Sequence, residues 1–346
     1  MARFHDGQWQ SLALELLRNI ARGSPTPLEQ CSEATLRQLE ARQINGLYYS
    51  VAQPDHPRRR LYAAIWAAQR AACVEAVEAL ESQSIETVVF KGADFLDRYF
   101  PAPFSIMSDV DLLVKRNDVG RAKAELYRLG YRQAAFNRAR RRLDEADVAA
   151  VADTEAHHYE LFPFLRLDPI RLDDDARALL RKRGRLPVVA SGGELKVVIG
   201  LDVHHGVATD IATEPLMRRS RRSSFPAGRS LSPADHLWLV TARLYNETAL
   251  HGKRSLRDFA YLVALLTQER IRWDDVLQSA ADYEMHAALY YYFMFLSWLA
   301  PDTIPLDVLE RLSPLHTKRL RDWGWQLGVL FDALDPQPFG RDLQRQ

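Results

Sequence analysis

Ser108-Asp109-Val110-Asp111-Leu112-Leu113-Val114 is an apolar run interrupted by two carboxylates. Its aliphatic and β-branched residues, bounded upstream by the Pro101-Ala102-Pro103 breaker, predict a short buried strand. Strand geometry sends residues i and i+2 to one face, so Asp109 and Asp111 project together. Two like charges side by side at the end of a buried strand are unfavourable unless a cation compensates them. Hard oxygen ligands of this kind suit Mg²⁺ or Mn²⁺ and not zinc.

Upstream, Thr87-Val88-Val89-Phe90 reads as a strand that stops at Lys91-Gly92, with a helix from Ala93 to about Tyr99. A glycine between a strand and a helix lets backbone N–H groups approach a phosphate, and the helix N-terminus adds positive potential. Downstream, a helix is expected from Val119 to Leu129, a turn at Gly130 and a strand from Tyr131 to Phe136. Residues 137 to 153 read as an exposed loop or helix. Two further strands are expected over His157 to Leu165 and Leu195 to His204, separated by an Arg- and Asp-rich insertion ending in Gly192-Gly193. In the second of them Val197-Val198-Ile199 leads to Asp202, so if the two acid-bearing strands are neighbours, three carboxylates converge. Three such acids suit a pair of divalent ions, bridged by Asp109 and Asp111 with Asp202 completing one of them. The competing reading is that these acids cap strand ends or pair with arginines.

The flanks are helical. Leu12, Leu14, Leu16, Leu17 and Ile20 mark one amphipathic segment and Leu61 to Leu80 a longer, Ala-rich one. From Ser232-Pro233-Ala234-Asp235 onward helical spacing returns, with helices expected near 255 to 268, 273 to 299, 305 to 312 and 315 to 333. The expected plan is α+β: a small mixed sheet over residues 85–228, a helical N-terminal region over 1–84 and a helical C-terminal domain over 229–346.

Composition sets the outer limits. The 346 residues are 47% hydrophobic and 26% charged, which is globular and excludes wholesale disorder or a fibrous repeat. The 46 basic and 45 acidic residues leave a charge of +1, so no global field recruits nucleic acid. Arg-rich stretches at 138–142 and 218–222 read as solvated loops. Cys31 and Cys73 cannot build a disulfide framework or a four-cysteine zinc site. The run Leu289 to Leu299 is apolar on nearly every face but too short to span a bilayer, and reads as a buried helix. The expected location is cytoplasmic, without a membrane partner.

Taken in order along the chain, Val89-Phe90-Lys91-Gly92-Ala93, Ser108 to Val114, Leu129-Gly130-Tyr131, His157 to Leu161, Leu201-Asp202-Val203-His204 and Leu250 to Asp258 resemble a family of uncharacterised bacterial nucleotidyltransferases. That family is similar to the nucleotidyltransferases of the DNA polymerase β superfamily. The resemblance covers roughly residues 60 to 270 and implies metal-dependent transfer of a nucleoside monophosphate from an NTP to a hydroxyl acceptor, with pyrophosphate leaving. It implies a metal role for Asp109, Asp111 and Asp202 and a phosphate role for the Gly92 turn; the candidate nucleotide contacts are Lys91, Gly92, Ala93, Ser108, Lys253 and Arg254. The acceptor it leaves open: a small molecule, a peptide or protein, or an RNA end.

Two departures stand out. Ala93 occupies the place where the superfamily usually has serine, and Ile106-Met107 precede the acids where relatives often present an arginine. Two other readings therefore stay open: a nucleotidyltransferase fold acting as a binding scaffold, and a metallohydrolase drawing on the His157-His158 and His204-His205 pairs with Asp.

Overall fold

The computed structural model describes residues 8–24, 26–182, 186–191, 193–208, 211–313 and 330. Helices α1 (Gln8–Arg22), α2 (Glu33–Ala41) and α3 (Asn45–Ala52) come first, and α4 (Pro57–Ser82) begins after Pro54. There follow β1 (Val88–Phe90), α5 (Gly92–Tyr99), β2 (Val110–Leu113), α6 (Val119–Arg128), β3 (Arg132–Asn137), β4 (Arg142–Glu145) and α7 (Val148–His157). Next are β5 (Phe164–Pro169), α8 (Asp174–Lys182), β6 (Val188–Ser191), β7 (Glu194–His204), α9 (Thr213–Arg219), β8 (Arg221–Arg222) and β9 (Arg229–Ser230). Helices α10 (Pro233–His251), α11 (Arg257–Gln268), α12 (Trp273–Asp282), α13 (His286–Leu299) and α14 (Leu306–Leu312) complete the α+β plan.

The chain divides into two compact units, Met1–Pro54 with Pro233–Gln346, and Asp55–Ser232. The boundary drawn from sequence at 84/85 runs between α4 and β1, both of which lie in the second unit.

That second unit is built on a mixed sheet of order β4-β3-β5-β7-β2-β1-β9-β8, with β6 paired to the outer half of β7. Helix α4 packs on β7 and on α6 and α8. Leu61, Ile65, Gln69, Ala72, Ala76 and Leu80 recur at three- and four-residue spacing on its buried stripe. Pro57 at its first turn and the His56 Nδ1, which accepts from the Arg58 N–H at 3.2 Å, fix where it starts. Helix α5 lies against β1 and β2, burying Phe95 and Leu96. The helical unit packs α1 on α11 and α13, and α10 on α11, α12 and α13. The apolar α13 is buried there through Leu289, Tyr292, Phe293, Phe295 and Leu296. Among the described residues no helix is long and apolar enough to cross a membrane.

Several local expectations need correction. The strand expected at 157–165 is displaced: α7 runs through His157, and Pro163, lacking an N–H, precedes the ladder that begins at Phe164. The helix expected over 273–299 is two, α12 and α13, because the chain turns at Tyr283–Met285 with Glu284 at φ 53°. The Arg-rich 137–153 stretch supplies β4 and α7, and the polar insertion supplies α8 and β6. Their side chains carry too little apolar alternation to announce them. The helix expected at 315–333 lies outside the described residues except for Leu330.

Gln69 is a polar residue on the apolar stripe of α4, 2% exposed, and its Nε2 donates to the Met107 carbonyl at 3.0 Å. This bond holds the segment that delivers Asp109 to the sheet. Replacing it by Gln69→Leu leaves a buried carbonyl unsatisfied and should cost about 1–3 kcal/mol, measurable as a lower urea midpoint with an unchanged m-value.

Candidate functional site

The central pairing of the sheet sets β2 parallel to β7, with Asp111 directly opposite Asp202. Cross-strand partners share a face, and Asp109 lies two residues before Asp111, so all three carboxylates lie on one side of the sheet. On the far edge of β2, β1 runs antiparallel with Phe90 opposite Asp111, which brings the following Lys91-Gly92 turn to the same place. The strand ends thus assemble the acids and the glycine turn from three separate stretches of sequence.

Close approach at the acids depends on Gly200. A Cβ there would stand 2.9 Å from the Ser108 carbonyl oxygen and 3.5 Å from the Asp109 Cα. Ser108 itself is exposed, and Asp109 and Asp202 are half-buried. Burial, followed by the charges of Asp109 and Asp111, pushes the Asp202 carboxyl up to about 9. Asp202 therefore keeps its proton through neutral pH, on the face that Asp109 and Asp111 share.

Asp111 is 7% exposed and is clamped from two directions. The Lys91 ammonium lies 2.5 Å from its Oδ1, and the His204 Nε2–H donates to the same oxygen at 3.0 Å. His204 is 1% exposed, with Phe90 edge-on and Tyr159 stacked against it. Burial holds its imidazole below the usual range although Asp111 pulls the other way, so the ring is neutral at pH 7. Its Nδ1 has no hydrogen-bond partner, and the Glu160 carboxylate stands 3.6 Å away. Glu160 faces His204 across an isolated antiparallel bridge and so joins the same face as the acids.

Lys91 caps α5 with φ 58° and ψ −138°, a conformation that suits glycine and is strained for lysine. Gly92 opens the helix, half-buried, while the Ala93 methyl is buried, so Ala93 can offer an anion only its backbone N–H. One turn in, the fully buried Asp94 accepts from the Ser230 hydroxyl at 2.7 Å, tying α5 to β9. Gln69, Asp94 and Gly200 escaped the sequence reading. Only Gln69 left a trace there, as a polar residue on an apolar helical stripe.

The remaining candidates are Lys253, Arg254 and the paired histidines. Lys253 belongs to the helical unit, where its ammonium pairs with Glu247 at 2.6 Å and Asp258 at 3.3 Å. Burial alone would raise Asp258, but Lys253, Arg257 and Arg243 outweigh it and hold the carboxyl below the usual range. Arg254 follows Lys253 in that unit. His157 and His158 are exposed, and His157 bonds to Asp153. Of the four histidines weighed as metal ligands, His204 bonds to Asp111.

Among the described residues no three His, Cys, Asp or Glu side chains stand in a formed coordination shell. Asp111 faces Lys91 and His204, while Asp202 keeps its proton on the same face. The donor set nevertheless fits a hard divalent ion: three carboxylates share a face, and one of them retains its proton far above the usual range. Asp109, Asp111 and Asp202 are the residues that can hold it.

Two outcomes follow. Gly200→Ala should displace the Ser108-Asp109 backbone and weaken Mn²⁺ binding, read by titration calorimetry, with the fold retained by circular dichroism. The Asp202 carboxyl lies above its unfolded value, so the native state binds the extra proton and stability falls as pH rises from the usual carboxylate range to about 9. Asp202→Asn should flatten that decline and raise the melting temperature of metal-free protein at the alkaline end, measured across the pH series.

No curated protein and no solved structure matches the chain. A family model described as uncharacterised nucleotidyltransferase does, over residues 56–301, a span that includes every strand of the sheet as well as α4 and helices α10 to α13. With the greater part of its length so matched and the acids in register on neighbouring strands, the chain belongs to the uncharacterised nucleotidyltransferase family.

Proposed function

We propose that this protein is a Mg²⁺- or Mn²⁺-dependent nucleotidyltransferase of the DNA polymerase β type, moving a nucleoside monophosphate from an NTP to a hydroxyl acceptor. The observation that carries the reading is the register of Asp111 against Asp202, with Asp109 on the same face. Asp109, Asp111 and Asp202 would hold the divalent ions. When bound, these supply charge neutralisation at the transferred phosphoryl group and at the leaving pyrophosphate. His204 keeps Asp111 in orientation by its Nε2–H bond. The Gly92 turn and the first N–H groups of α5 receive the phosphates, and the Lys91 ammonium adds the positive charge nearest to them. The acceptor hydroxyl attacks the α-phosphorus in line, and Asp202 is our candidate to take its proton. Lys253 and Arg254 are proposed as further phosphate contacts.

Against a His/Asp metallohydrolase stands the placement of the histidines, since His157 and His158 are exposed and His204 is committed to Asp111. The scaffold reading draws on Ala93, whose buried methyl replaces a hydroxyl at the turn.

The test is calorimetric titration of ATP, GTP, CTP and UTP with and without Mg²⁺, followed by a pyrophosphate-release screen of hydroxyl acceptors. Wild type should bind an NTP only with metal, and Asp109→Ala/Asp111→Ala should abolish that binding and reduce turnover by at least about 10²- to 10³-fold, the scale of a dominant electrostatic group. Metal-dependent binding with no turnover on any acceptor would favour the scaffold. A folded wild type that binds no NTP would end the nucleotidyltransferase reading.

A further inference from the structure

Lys91 and a divalent ion compete for one atom. The ammonium lies 2.5 Å from Asp111 Oδ1, in a contact where the lysine side chain is 13% exposed and the carboxylate 10%. An ion ligated by that oxygen would stand within a few ångströms of the ammonium, and two cations so close repel strongly where water is scarce. One of them has to leave. The lysine is able to, because its charge rides on a flexible four-carbon stem. Asp111 is able to lose it, because His204 Nε2 independently fixes the same oxygen at 3.0 Å from a buried, neutral ring.

The backbone says where the charge goes. Lys91 is the residue immediately before Gly92 and caps α5 at φ 58° and ψ −138°. Such backbone geometry is costly for a residue with a side chain and accumulates at switch positions. Here it aims the lysine back across β1 and β2 to Asp111, although the residue itself sits beside the helix N-terminus, where anions are favoured. A phosphate chain at that terminus offers the displaced ammonium a second anionic partner within reach of its stem.

We infer that Lys91 is a tethered placeholder cation: it neutralises Asp111 when no metal is bound and transfers to the nucleotide's phosphates when metal takes its place. The inference rests on the nucleotidyltransferase reading of the site and adds to it a coupling between the two ligands. Metal alone has to evict the ammonium from Asp111, whereas metal with nucleotide supplies phosphate oxygens for it to join. Each ligand should therefore strengthen the other, and by linkage the factor is the same in both directions. A lysine that merely sat near the phosphates would contribute equally with and without metal. One that changes partners contributes to phosphate binding only when metal has displaced it.

The experiment is a double cycle on the full chain, with Mn²⁺ and inorganic tripolyphosphate as probes, read by calorimetry and by the Mn²⁺ electron paramagnetic resonance signal. Wild type is compared with Lys91→Met, Lys91→Gly and Lys91→Arg. The glycine variant suits the backbone at this position and keeps the test open should the methionine variant fail to fold. In Lys91→Met and Lys91→Gly, Mn²⁺ alone should bind about tenfold or more tightly, as expected when a contacting like charge is removed. Tripolyphosphate affinity should fall only when Mn²⁺ is present, and the coupling factor should shrink by about tenfold. Lys91→Arg should retain most of the coupling. Unchanged Mn²⁺ affinity in the neutral variants, or an equal loss of tripolyphosphate affinity with and without Mn²⁺, would overturn the placeholder role while leaving the nucleotidyltransferase reading standing. If Mn²⁺ and tripolyphosphate together bind neither wild type nor variants, that reading falls and this inference with it.

Discussion

Everything at the candidate site hangs on the parallel pairing of β2 with β7 in one register, Asp111 against Asp202. A slip of one residue would turn one of the two carboxylates to the opposite face and leave the other alone. The register is held by apolar residues that alternate with the acids: Val110, Leu112, Leu201 and Val203 are fully buried and can be so only with this face of the sheet turned as it is. The energy of the core therefore fixes the geometry of the charges. The site needs no strong interaction of its own, and in the absence of other cations it is in fact a set of like charges held together against repulsion.

The structure manages that repulsion by three different means. Asp202 keeps a proton, its carboxyl pushed up to about 9 by burial and by the charges of Asp109 and Asp111. The ammonium of Lys91 covers Asp111, and the neutral ring of His204 donates to the same oxygen. In the proposed site the proton and the ammonium are the charges that a divalent ion would replace, while His204 stays on Asp111 and the sheet keeps its packing. Around this centre the supports are rigid and apolar or fully paired. Gln69 holds the Met107 carbonyl, Gly200 lets Ser108 lie close, and Asp94 binds α5 to Ser230. Exchangeable charges stand on a fixed frame.

Family membership extends over both units of the chain, from α4 into the end of α13. Within the helical unit the polar segment after α10 is itself a paired cluster, with Lys253 between Glu247 and Asp258. The sequence reading offered Lys253 and Arg254 as phosphate contacts. The acids that engage Lys253 lie six residues before it and five after, on α10 and α11. Such a pairing is invisible in a scan for basic residues alone.

The amino-acid sequence by itself determined the α+β class, the acid-bearing strands, the glycine turn and the three carboxylates, because each is a local pattern: period two in a strand, a glycine between strand and helix, an acid where an apolar residue is expected. It failed where the cause is not local. Strands β4, β6, β8 and β9 carry weak alternation and exist because a neighbouring strand supplies their hydrogen bonds. The start of β5 was set by Pro163 and by the partner residues 196–201 of β7, not by the hydropathy of residues 157–165. Only the tertiary structure decided that Asp111 and Asp202 are neighbours across 91 residues of chain, that His204 and Lys91 share one oxygen, and that His157 and His158 stand apart. Pairing register, side-chain reach and burial depend on which segments the core brings together, and that is settled by packing the whole unit.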